Sequence, residues 1–216
     1  MAPREQGEIS RAKLIAAMTD VAREKGYHAT RIEDVCAAAG VTKGSFFHHF
    51  ASREDLGLAA AEAWRQNTGT LFAEAEFNHP ARPLDRLLGY IAFRRAMLTG
   101  PVALYACYAG TVVAETYATD LPVYPVASAA IADHITFIAR HTAAALQDCG
   151  QPPTRAHALS TFIQCTIQGA LILAKAEGDA TPALACLDEL ERHLKHELTP
   201  KRRNHDPRQA VLFEEP

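Results

Sequence analysis

No two cysteines stand in a CxxC pair, and the count is odd at five: Cys36, Cys107, Cys149, Cys165 and Cys186. That argues against a disulfide framework and for a reducing, cytoplasmic setting. The first residues, Met1 to Ser10, are polar and lack the apolar run of a secretory leader. No cationic excess exists either, since the net charge is −3. Any nucleic-acid surface must therefore be local. Runs of β-branched residues are few, no convincing strand is found, and no internal repeat occurs. Paired-carboxylate, triad and phosphate-loop motifs are missing too, which leaves an all-α enzyme acting on apolar compounds without a catalytic signature. One uncharged stretch, Met97 to Ala114, raises the question of a membrane span. Gly100, Pro101, Gly110 and Thr111 interrupt it, so it reads as a buried helix.

What is present points to helix. Of 216 residues, 48% are hydrophobic and 22% charged, a globular balance with ample core. Helix one is expected over Ile9 to Lys25, with Leu14, Ile15, Met18, Val21 and Ala22 on one stripe. Gly26 stops it. Thr30 to Glu33 fits a capping box for helix two, whose inner face is Ile32, Val35, Cys36 and Ala39. Gly40 breaks that helix, Val41 anchors the turn, and Thr42 caps helix three over Lys43 to His49. Two short helices joined by so brief a turn form a helix-turn-helix. Gly40 to Arg53 holds Lys43, His48, His49 and Arg53 and no acid, a small cationic face.

Ser52 caps helix four, which runs to about Glu76. Further helices are expected over Pro83–Leu98, Val102–Thr119, Val126–Cys149, Thr154–Glu177 and Thr181–Leu198. The chain is thus all-α with nine helices. Residues 1–52 form a helix-turn-helix DNA-binding domain, 53–198 an effector-binding and dimerisation domain, and 199–216 a charged tail, read as flexible, whose Ala210–Phe213 patch is free to dock.

Gly26-Tyr27, Thr30, the run Val35 to Val41, Lys43 to Phe50 and Ser52 to Leu56 together resemble the TetR family of bacterial repressors. The resemblance implies a homodimer, with helices one to three on double-stranded DNA, helices four to seven around an effector pocket, and helices eight and nine as the dimer interface. It implies repression of nearby genes, relieved by a small molecule. Tyr105 to Gly110 is similar to the cysteine-bearing helix six of a subgroup that includes repressors of reductase and acrylate-utilisation genes. Some of those respond to electrophiles through that cysteine.

Helix three would offer its N-terminus, Lys43 and Ser45 to phosphate or base edges. Gly44 would permit close approach, or only relieve crowding against helix two. Thr30 and Thr42 are caps that can also touch the backbone. Phe47 stands where most of the family has Tyr, so the face can meet a thymine methyl but lacks the hydroxyl. His48 should be exposed, His49 packed or exposed, and Arg53 a clamp on the DNA backbone. Phe46 and Phe50 are core.

The effector pocket draws its candidates from Trp64, Phe93, Met97, Leu104, Cys107, Tyr108, Phe137, Phe162 and Cys165, with Gln168 and Tyr105 as polar contacts. For any one of these, ordinary core is the competing reading. The effector is expected to be small and apolar, or electrophilic. His134 and His141 line the pocket or face water. His193 and His196, with Glu189 and Glu197, share a face that suits solvent better than a metal. No metal and no cofactor is expected. A nucleoid-type protein that binds DNA without an effector is the second rival to a ligand-responsive regulator.

Overall fold

The computed structural model describes residues 3–200, and every regular element in them is helical. Ten α-helices follow in order: α1 (Pro3–Lys25), α2 (Ile32–Ala39), α3 (Lys43–His49), α4 (Arg53–Ala73), α5 (Pro83–Ala96), α6 (Val102–Tyr105), α7 (Tyr108–Thr116), α8 (Val123–Asp148), α9 (Ala156–Glu177) and α10 (Thr181–Leu198). The Ala210–Phe213 patch lies outside the described residues.

Local chemistry sets most of these boundaries. Thr42 accepts the Ser45 N–H at 3.1 Å and Ser52 accepts the Asp55 N–H at 3.0 Å, so both are N-caps as the sequence suggests. Gly40 takes the left-handed conformation, φ 65°, that ends α2 and lets the chain turn at once into α3. The expected capping box at Thr30 is not formed. Thr30 is buried and its hydroxyl donates back to Gly26 O at 2.7 Å, while Arg31 takes the cap position and Asp34 receives its N–H. α4 stops earlier than expected because Asn78 folds under it, its amide donating to the carbonyls of Phe72, Ala73 and Ala75.

The expected sixth helix is two. Ala106 and Cys107 are extended, and the Cys107 sulfur caps α7 by accepting the Gly110 N–H at 3.3 Å. The uncharged stretch from Met97 to Ala114 is therefore broken rather than one continuous helix. Pro153–Glu177, containing α9, is long and apolar enough by composition to cross a membrane. α9 packs between α8 and α10, burying 39% of that apolar window.

Two buried clusters organise the packing. One gathers Leu14, Met18, Tyr27, Val35, Phe46 and Leu56 with Tyr108, Val112, Val123 and Ala127. The core of the helix-turn-helix thus continues past residue 52 into α4, α7 and the start of α8. The second holds Phe72, Phe77, Leu87, Tyr90, Ile138 and Ile163 together with the inner leucines of α10. Burying such side chains contributes roughly 1.5–3 kcal/mol each, which fixes the helices rigidly enough to hold a site between them.

Candidate functional site: the nucleic-acid face and the pocket

Phe46 is fully buried and Phe50 nearly so, which presses α3 onto α1 and α2 and turns its other side outward. Lys43, Gly44, Phe47 and His48 are exposed, and Ser45 and His49 are half-buried. Phe47 touches the Phe46 ring edge-on at 5.1 Å yet keeps 57% of its surface in water, unusual for a large apolar side chain. Lys43 is held by an ion pair with Glu33 of α2, which raises the lysine pKa and lowers that of the carboxylate. A Cβ at Gly44 would meet only Thr42 Oγ1 at 3.7 Å, so crowding against α2 does not explain the glycine. Burial, with His48 and Arg11 nearby, lowers the His49 pKa.

Arg53 is used internally. Its guanidinium donates to Tyr27 O at 2.8 Å and to Glu54, and stacks 4.8 Å over the Tyr27 ring. This arginine fastens α4 to the end of α1 and is not a free clamp. Thr30, being buried, presents no hydroxyl to a phosphate.

A cavity of about 90 Å³ is walled by α1, α4, α5, α6, α7, α8 and α9. Trp64, Met97, Leu104, Tyr105, Cys107 and Gln168 line it, as the sequence suggests. Gln168 donates to the Cys107 sulfur at 3.4 Å, so that sulfur receives two N–H groups. His134 lines the same wall, hydrogen-bonded to the Tyr90 hydroxyl at 2.9 Å. Burial, aided by Arg94, pushes the His134 pKa down to about 3. An open groove between α1 and α4 adjoins the cavity through Arg23, Trp64, Thr68 and Met97.

The family model for bacterial regulatory proteins of the tetR family matches residues 14–60. A second, for the C-terminal domain of LmrA/YxaF-like transcriptional regulators, matches residues 83–189. The uncharacterised HTH-type transcriptional regulator Rv0196 of Mycobacterium tuberculosis is 30% identical over 201 residues, spanning 90% of this chain and 93% of the relative. The chain belongs to the TetR family of transcriptional regulators. Its fold agrees: a TetR regulator from Chloroflexus aurantiacus superposes with a TM-score of 0.77 at 23% identity, over 88% of this chain and 96% of that one. One from Agrobacterium tumefaciens gives 0.75 at 20% identity, over 87% and 98%. As a TetR-family protein it is a DNA-binding regulator and not an enzyme.

Within this TetR-family regulator several pocket candidates lie elsewhere. Tyr108 is fully buried, its hydroxyl donating to Gly57 O at 3.2 Å. Phe93 and Phe137 belong to an aromatic cluster with Phe72 and Phe77, where His141 also packs. Phe162 and Cys165 face outward on α9, and Phe162 touches the His193 ring. Among the described residues no cluster of His, Cys, Asp or Glu is placed to hold a metal. Sequence reasoning missed the polar and aromatic liners Arg23, Thr68, Phe72, Arg94 and Gln164, and the apolar Leu98, Ala109, Ala130 and Ile131. Arg23 and Arg94 sit near helix C-termini, where a basic residue is ordinarily solvated beside the helix dipole, so no local signal marks them.

Proposed function

We propose that this chain is a homodimeric repressor that holds a near-palindromic operator through α2 and α3 and lets go when a small molecule enters the pocket. The observation that carries the reading is Arg23. It belongs to α1 of the DNA-binding head, yet it lines the pocket and donates to Leu104 O at 2.7 Å. A ligand in that cavity touches the head directly, so occupancy and head orientation share one contact. An effector-independent DNA binder has no use for such an arrangement.

The proposed division is a head of residues 1–52 and a ligand and dimer domain of residues 53–198. Lys43, Ser45, Phe47 and His48 supply the DNA contacts, and Thr42 and Gly44 let the backbone approach. Two α3 helices then enter successive major grooves, roughly 34–36 Å apart. The dimer forms on α9 and α10. Phe162, Cys165, Ile172 and Leu173 support this, because they leave an exposed apolar stripe along α9 at helical spacing. Cys107, half-buried in the pocket, makes electrophiles one class of effector. The protein works in the cytoplasm, where its DNA is.

A gel-shift on DNA from upstream of its gene tests the proposal. Sharp, salt-dependent binding to a palindromic fragment is expected. No binding to any palindromic fragment at low salt sinks it.

A further inference from the structure

Among the described residues, four side-chain polar atoms are buried without a hydrogen-bond partner: Arg23 Nε, Tyr27 Oη, Tyr105 Oη and Gln164 Oε1. Three of the four belong to residues that wall the one cavity described above. Tyr105 is 8% and Gln164 6% exposed, so water does not reach them freely. Leaving such a group unpaired costs about 1–3 kcal/mol in an ordinary core, and native cores rarely collect three together. Unpaired groups converging on a cavity mark a place where a ligand supplies the missing partners.

The charge of the wall says which ligand. Arg23 and Arg94 both line it, and no aspartate or glutamate does. Asp20 is committed to Arg23 from outside the cavity at 2.6 Å, and Asp179 to the Thr181 amide. Arg94 forms no ion pair among the described residues and lies 5.5 Å over the Phe72 ring. His134, neutral at ordinary pH, adds no charge of its own. Arg23 is thus paired, and Arg94 is left as the cation on the wall without a carboxylate partner among the described residues. The cavity's unpaired groups are the Arg23 N–H, the Tyr105 phenol and the Gln164 amide oxygen; the first two donate as they stand, and Gln164 donates once its amide is turned over. Acceptor atoms bearing negative charge satisfy them together. Phe72, Met97, Leu98 and Ile131 complete the wall with apolar surface.

We propose that the pocket takes a small monocarboxylate with a short apolar tail, its acid group read by Arg23, Arg94, Tyr105 and Gln164. At about 90 Å³ the cavity is smaller than the 150 Å³ or so that admits benzene, which limits the tail to a few carbons unless the adjoining groove opens. Arg23 has a second consequence. An acid group that takes its guanidinium competes with Leu104 O, so the same bond that recognises the ligand loosens α1 from α6. This inference rests on the ligand-responsive reading above and narrows it.

Calorimetry on the purified full-length protein, without DNA, tests it with shape-matched pairs: acetate and acetamide, butanoate and butanamide, benzoate and benzamide. At least one acid should bind ten-fold or more tightly than its amide. Arg94→Gln should abolish most of that preference, while circular dichroism reports whether the variant folds. If no acid outbinds its amide in the wild-type protein, the carboxylate inference is wrong, whatever the variant does. Gel-shifts on the same preparation separate the two claims: DNA binding without acid preference overturns only this inference, and absent DNA binding overturns the repressor reading.

Discussion

The Glu115 carboxylate of α7 accepts the backbone N–H of Tyr27 at 3.0 Å, and its second oxygen accepts that of His28 at 2.7 Å. A side chain from the far domain thus satisfies the turn between α1 and α2, whose amides no helix can pair. With Arg23 bonded to Leu104 O, the segment from α6 to α7 grips the DNA-binding head at both of its ends. Cys107 and Gln168 sit at the elbow between the two grips.

Glu115→Ala should destabilise the protein by about 2 kcal/mol, the order expected for losing hydrogen bonds to a charged acceptor. Urea unfolding measures this. The same variant should respond less to effector in a gel-shift, since one route from pocket to head is gone. Unchanged stability would show the clamp to be idle.

Gly57→Ala places a Cβ 2.5 Å from the Tyr27 hydroxyl and 2.9 Å from its ring, inside a fully buried contact. Overpacking of this kind costs about 1–3 kcal/mol. Tyr27→Phe removes a buried hydroxyl without a partner, so alone it should be nearly neutral, and it should recover part of the Gly57→Ala loss. Thermal melts of the single and double variants give the comparison.

On the DNA face, Lys43→Ala should weaken operator and non-operator DNA alike and reduce the slope of log affinity against log salt by about 1. Phe47→Tyr should tighten binding several-fold, because the exposed ring gains a hydroxyl able to reach a phosphate. Fluorescence anisotropy across a salt series reads both.

Cys107→Ser keeps a cap at α7 but removes the nucleophilic sulfur. DNA release by a thiol-reactive compound such as N-ethylmaleimide should be lost, whereas release by non-reactive ligands persists. Retained release by the electrophile would remove the sensing role.

His134 gives a pH dependence. Its folded pKa is about 3, well below the ordinary 6.5, so the unfolded chain binds the proton more readily. The contribution is fully present above pH 6.5 and falls as pH drops from there toward 3. At pH 5 the loss should be about 2 kcal/mol. His134→Gln should show a shallower decline between pH 6.5 and 5, measurable by urea titration at each pH.

The helix-turn-helix was legible because its determinants are local. Gly40, Thr42 and Ser52 act within a few residues of themselves, and their caps form as their types suggest. The division between α6 and α7 was not, since no glycine or proline marks Ala106 or Cys107. The groups that hold the break open, Arg23 and Gln168, are distant in sequence. Thr30 misled for the opposite reason: a serviceable capping box was outcompeted by a bond to Gly26 O that buries the hydroxyl. The apolar lining of the pocket could be guessed from Trp64, Met97 and Leu104. Its polarity could not, because a half-buried arginine turned into a cavity and a solvated one look alike in a sequence.

Glu33 gives the DNA face a surrogate phosphate of its own. The Lys43–Glu33 pair is exposed and weak enough to open readily, so a phosphate could displace the carboxylate at little cost. If Lys43 meets DNA as proposed, each encounter would begin from an occupied lysine, and that should shorten dwell times at sequences offering few other contacts.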